Sequence, residues 1–128
     1  MTLEDRILLL LPERANSNEH LLWRGRHLSA SVLLQVGARD YLLRIREGRV
    51  AGAARGPFVM PSWQFALRAD EHSWTQFWSA LPPPGYNDLF AMAKARRLRI
   101  EGDLHPLMSN LLYFKDLLAS IRLSEGDQ

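Results

Sequence analysis

A chain of 128 residues that is 47% hydrophobic holds one domain with a real core and leaves little room for a second. Its 16 basic and 14 acidic residues leave a formal charge of +2, too small by itself to steer a nucleic acid or another polyanion. With no cysteine there is no disulfide framework, no thiolate metal site and no cysteine nucleophile.

The chain opens on a predicted short helix over 2–11. Thr2 with Asp5 three residues on has the form of a capping box, and Pro12 is expected to stop the helix. The apolar run Ile7 to Leu11 is far too short to cross a bilayer, follows Glu4, Asp5 and Arg6, and lacks a small-residue cleavage site. Neither a signal peptide nor an integral membrane segment is therefore expected, and the chain reads as cytoplasmic. Residues 13–20, with Asn16, Ser17 and Asn18, read as a loop, so that 1–21 forms an N-terminal extension.

From Ser29 the apolar period becomes two. Val32, Leu34 and Val36 share one face of a predicted strand, and Ala38-Arg39-Asp40 turns the chain. Tyr41, Leu43 and Ile45 then alternate with Leu42, Arg44 and Arg46; Glu47-Gly48 makes a second turn, and 49–54 a short strand of small residues. Gly56-Pro57 breaks the pattern before the clearest strand, where Trp63, Phe65, Leu67 and Ala69 alternate with Gln64, Ala66 and Arg68. Short strands joined by tight turns predict an antiparallel sheet with one dry face. Arg44, Arg46 and Arg68 belong on its wet face, with Arg24 and Arg26 as candidates to join them.

After Asp70, a good N-cap, the period shifts to that of a helix: Trp74, Phe77, Trp78 and Leu81 predict one over 70–81, ended by Pro82-Pro83-Pro84-Gly85. Asn87 is read as the cap of a second helix carrying Leu89, Phe90, Met92 and Ala93, with Arg96 and Arg97 near its negative end. Leu98 to Gly102 is a short alternating strand. Asp103 is expected to cap a last helix running to about residue 121, with Pro106 in its first turn and Leu104, Leu107, Met108, Leu111, Leu112, Phe114, Leu118 and Ile121 as its apolar face. Residues 124–128 form a polar tail. Strands clustered ahead of helices give an α+β domain with the helices on one face of the sheet.

That order, with Trp63-Gln64-Phe65-Ala66-Leu67-Arg68-Ala69-Asp70 and above all Ala95-Arg96-Arg97-Leu98-Arg99-Ile100-Glu101-Gly102-Asp103-Leu104, resembles the sterol carrier protein type 2 domain family. The family's helix runs into a strand of the form basic–aliphatic–x–aliphatic–x–Gly–Asp/Asn, then into a last helix containing methionine. Leu98, Ile100, Gly102, Asp103 and Met108 stand at the matching positions, and the resemblance covers residues 22–123, roughly. It implies a five-stranded, mainly antiparallel sheet covered by helices, with an apolar tunnel that takes fatty acid, acyl-CoA, phospholipid or sterol. Two features depart from the pattern: a long stretch before Ser29, and Gly126-Asp127-Gln128 where peroxisomal members end in a Ser-Lys-Leu-like tripeptide.

The expected function is lipid binding and transport without catalysis. Phe65, Trp74, Phe77, Trp78, Leu89, Phe90, Met92, Leu104, Leu107, Met108, Leu111 and Leu112 are the candidate ligand-lining residues. Taken alone, so much apolar bulk reads first as a solid core; the resemblance is what turns it toward a cavity. Arg96, Arg97 and Arg99 are candidates to orient a carboxylate, against a plain reading as solvated charges. The alternative function is an accessory or dimerisation module of the same fold with a closed cavity, serving a partner enzyme or a second copy. Leu8 to Leu11, Leu21, Leu22 and Trp23 would then plug the tunnel or dock on the partner. His20, His27, His72 and His105 are too scattered for a metal site, and no phosphate loop, dinucleotide fingerprint or nucleophile elbow is present. No metal, cofactor, nucleic-acid partner or catalytic residue is expected.

Overall fold

In the computed structural model, which describes residues 2–58 and 62–123, the N-terminal helix runs straight past Pro12. The tail expected at 124–128 lies outside the described residues. Three segments follow without a break: α1 (Leu3–Asp5), a π-helical turn (Arg6–Leu10) and α2 (Leu11–Asn16). Thr2 and Asp5 do form the capping box. The π turn, closed by Leu11 N–H donating to Arg6 O, widens the helix where a proline ring would strike a carbonyl, and Pro12 falls in the first turn of α2, where its missing N–H costs little. The loop expected over 13–20 is likewise replaced. Asn18 accepts the Leu21 N–H at 3.1 Å and starts α3 (Glu19–Arg24).

The sheet is built from β1 (Ala30–Val36), β2 (Arg39–Arg46), β3 (Arg49–Arg55), β4 (Phe65–Ala69) and β5 (Arg99–Gly102), in the order β3-β2-β1-β4-β5. Strands β1, β2 and β3 form the expected antiparallel meander, and Glu47 and Gly48, both at positive φ, make the tight turn between β2 and β3. The meander does not continue into 65–69. Strand β4 crosses over to pair parallel with β1, and β5 closes the far edge antiparallel to β4. The reason lies in the apolar runs themselves. Leu33 on β1 and Ala66 on β4, which face away from the helices, are buried like Leu34 and Leu67. Strands dry on both faces belong at the centre of a sheet.

Four short helices cover the dry face: α4 (Glu71–Phe77), α5 (Leu89–Lys94), α6 (His105–Ser109) and α7 (Leu111–Ala119). Each corrects a predicted boundary. Asp70 caps α4 as expected, but the helix ends at Trp78, and Leu81 is 72% exposed rather than on the buried stripe. Asp88, not Asn87, caps α5. The single helix expected after Asp103 is two, parted at Asn110 (φ −129°), and Asp103 sits one residue ahead of the N-cap position, accepting the His105 N–H at 3.0 Å.

One continuous core results, and the extension is part of it. Ile7, Leu11, Ala15 and Leu21 are buried in the same cluster as Trp74, Phe77, Trp78 and Phe114. Two arginines of the extension reach the end of the helical layer: Arg6 donates to the carbonyls of Trp78 (3.0 Å) and Ile121, and Arg14 to those of Ser120 (2.8 Å) and Arg122 (3.3 Å). Burial, helped by nearby Arg14, pulls the Arg6 guanidinium below its ordinary range. A second junction joins α3, the β2–β3 turn and α7. Gly25 and Gly48 meet backbone to backbone, and the buried Tyr113 hydroxyl donates to Gly48 O at 2.7 Å. Desolvation holds that phenol well above its usual pKa, so it remains a donor throughout the working pH range.

Candidate ligand-binding site

The twelve residues expected to line a ligand space separate into two groups. Phe65, Trp74, Phe77, Trp78, Leu89, Met92 and Leu107 are fully buried between sheet and helices. Trp74 and Trp78 stack at 4.9 Å, and their ring N–H groups donate to Gln35 O and Leu118 O, each at 2.8 Å. Phe65 meets Phe114 edge-on at 5.0 Å. These side chains fill the layer themselves in this conformation.

The remaining five lie toward the outside. Phe90 and Leu111 are half-buried, while Leu104, Met108 and Leu112 are 43%, 55% and 60% exposed. The three exposed residues are the N-cap of α6, a residue of its last turn and a residue of the first turn of α7. Lys115, one turn beyond Leu111, lies 5.6 Å over the Phe90 ring and pairs with Asp88, which brings the start of α5 alongside α7.

Among the core residues outside the twelve are Tyr113, Leu117, Ile7 and Leu11. Tyr113 and Leu117 are buried beside Phe114, Leu118 and Ile121, a spacing of three and four that already marks the inner face of α7. Ile7 and Leu11 of the extension complete the inner wall. Two arginines also leave their expected place. Arg24 pairs with Asp116 of α7 at 3.2 Å and Arg26 stacks on Trp23 at 4.0 Å, so neither joins Arg44 and Arg46 on the open face of the sheet. Arg96, Arg97 and Arg99 surround a separate cleft at the carboxyl ends of β1 and β4.

Asp70 stands at the hinge between the sheet and this helical cover. Its carboxylate accepts the Ser73 N–H at 2.7 Å, and that bond holds its pKa below the usual carboxyl range. Asp70→Ala should cost about 1 kcal/mol at neutral pH. Because the folded-state pKa is depressed, this contribution is whole above the unfolded value and is lost as pH falls through the folded one. Urea midpoints of the two proteins should therefore converge in acid; a gap that persisted or widened there would contradict the cap.

No protein-family model matches the sequence, and no curated protein is significantly similar to it. The fold has clear counterparts among solved structures. A crystal structure of sterol carrier protein 2 superposes with a TM-score of 0.71 at 15% identity, over 89% of this chain and 92% of the other. A conserved hypothetical protein of Thermus thermophilus, put forward as a sterol carrier protein, gives 0.64 at 12% identity over 95% and 93%. The inverting sec-alkylsulfatase Pisa1 of Pseudomonas sp. gives 0.62 at 15% identity, over 88% of this chain but 16% of that enzyme. The chain therefore has the sterol carrier protein 2 fold, a five-stranded mixed sheet covered by helices, which also occurs as one domain of an enzyme. No described helix is long and apolar enough to cross a membrane.

Proposed function

We propose that this chain is a non-catalytic, cytoplasmic lipid-binding module that takes an acyl or sterol-like ligand between the dry face of the sheet and helices α4–α7. The exposure of Leu104, Met108 and Leu112 carries this reading, because it sets large apolar side chains in solvent on a cover made of short helices. The shared fold supports it. A guest must part that cover, and magnitudes favour the exchange. Uncovering Met92 and Leu107 costs about 1.5–3 kcal/mol each, whereas about fifteen buried methylenes contribute on the order of 12 kcal/mol before the costs of association.

Titrating the full chain with palmitate should give a saturable change in tryptophan emission, since Trp74 and Trp78 lie in the layer the ligand enters. Native mass spectrometry should show lipid carried through purification. Met108→Gln with Leu112→Gln, both at exposed positions, should weaken binding about tenfold without unfolding the protein. A protein that carries no lipid and gives no saturable response would rule this function out.

A second reading is favoured by one observation: Ile7 and Leu11 are completely buried in the core shared with Trp74 and Trp78. A module whose extension permanently closes the layer would serve a partner enzyme or a second copy of itself. The alkylsulfatase that holds this fold as one domain is a precedent for such an arrangement. Leu11→Ala separates the two. A plug predicts no saturable response from the wild type and one from the variant, while a carrier that opens at the α5–α7 seam predicts saturable binding by the wild type already.

A further inference from the structure

At the carboxyl ends of the parallel strands β1 and β4 the surface opens into a cleft of about 670 Å³, whose walls include Ala69, Ala93 and Leu98 and four arginines, Arg68, Arg96, Arg97 and Arg99. Its charge is not balanced locally. Asp70 caps α4 and its charge also acts on Arg97, while Glu101 is shared between Arg68, at 3.4 Å, and Arg99, so two carboxylates face four guanidinium groups. Among the described residues neither Arg96 nor Arg97 enters an ion pair. Arg68 Nε is buried without a hydrogen-bond partner, since its approach to Glu101 lacks bonding geometry. Arg97 is held over the Tyr86 ring at 4.4 Å, which fixes the plane of its guanidinium.

Arg96 adds an independent signal from the backbone. Helix α5 ends in a Schellman motif, with Arg97 N–H donating to Met92 O (2.8 Å) and Arg96 N–H to Ala93 O (3.1 Å). The residue between helix and strand then takes φ 63°, the left-handed position usually filled by glycine. Arg96 thus holds a conformation that glycine would take with less strain, and its side chain lines the cleft.

We propose that this cleft binds a phosphate-bearing anion, gripped by Arg68, Arg96 and Arg97, with any apolar part of the ligand resting on Ala69, Ala93 and Leu98. Phosphate fits better than a single carboxylate, because several planar forks converge where one unit of negative charge would leave positive charge uncompensated. The site needs no interior cavity and does not rest on the lipid-binding function proposed above.

Calorimetric titration of the full chain with inorganic pyrophosphate tests it, run beside sedimentation with phosphatidylcholine vesicles with and without phosphatidic acid. Saturable binding of pyrophosphate, weakening as salt rises, is the expected result for a free phosphate compound; binding confined to the phosphatidic acid vesicles assigns the same cleft to a lipid headgroup. Arg96→Gly should lower affinity about tenfold while raising the melting temperature, since glycine relieves the left-handed backbone and removes the charge together. Arg97→Gln should weaken binding similarly. Arg44→Gln, which removes equal charge from the exposed face of β2, should leave it unchanged. The proposal is overturned if neither probe binds saturably, if the Arg96 and Arg97 variants bind like the wild type, or if Arg44→Gln weakens binding as much as they do.

Discussion

Trp78→Ala should destabilise the domain by about 3–5 kcal/mol, a large part of the roughly 5–15 kcal/mol that a domain commonly possesses. Three losses combine. The ring stacked on Trp74 disappears, Leu118 O loses the indole N–H bonded to it at 2.8 Å, and the contact over which Arg6 lies at 6.0 Å is removed. Trp78→Phe separates these effects, because it keeps most of the apolar volume and removes the donor; about 1–2 kcal/mol is expected there. Urea unfolding followed by circular dichroism measures both, with the slope unchanged if the native state stays compact. A cost under about 1 kcal/mol for the alanine variant would mean that the ring does not seal the layer.

Gly48→Ala should cost about 2–4 kcal/mol through strain and overpacking together. The residue holds φ 82° in the β2–β3 turn, and an added Cβ would stand 2.8 Å from the carbonyl carbon of Gly25. That neighbour is main chain at the end of α3 and cannot rotate away. It is itself tied down, since Gly25 O accepts the Leu28 N–H at 2.8 Å while Gly48 N–H donates to Leu28 O at 3.0 Å. Gly52→Ala on the adjoining strand is the control: an added methyl there meets nothing within 4 Å, and the change should stay within about 0.5 kcal/mol. Similar melting temperatures for the two variants would dismiss the Gly25–Gly48 contact as a constraint.

The legible parts of this sequence were those where a local signal and the tertiary environment agree. Alternation from Ser31 to Ile45 gave the first two strands, Asp70 gave a helix start, and the short strand ending in Gly102 gave the sheet edge. What escaped notice depends on partners distant in sequence. Nothing local says that β4 pairs with β1 rather than β3, although the unbroken apolar runs 32–34 and 65–67 hinted that both strands are covered twice. Pro12 misled because a π turn cancels its usual effect. In the candidate site, spacing identified which residues are apolar but not which side of the helix break each would take. Leu107 and Met108 are neighbours in sequence, yet the first is buried and the second exposed. Extending one helical face through Asn110 placed too many residues inside.

The grip of Arg6 and Arg14 on carbonyls at 78 and 120–122 has a bearing on how the chain assembles. Most of those acceptors are synthesised 106 to 115 residues after the arginines that hold them, so these turns have no lasting berth until the ribosome has passed residue 122. Contacts spanning so much sequence form slowly and late. A nascent chain halted near residue 100 should therefore keep its opening segment open to protease, and the same segment should become resistant only when α7 has emerged and folded.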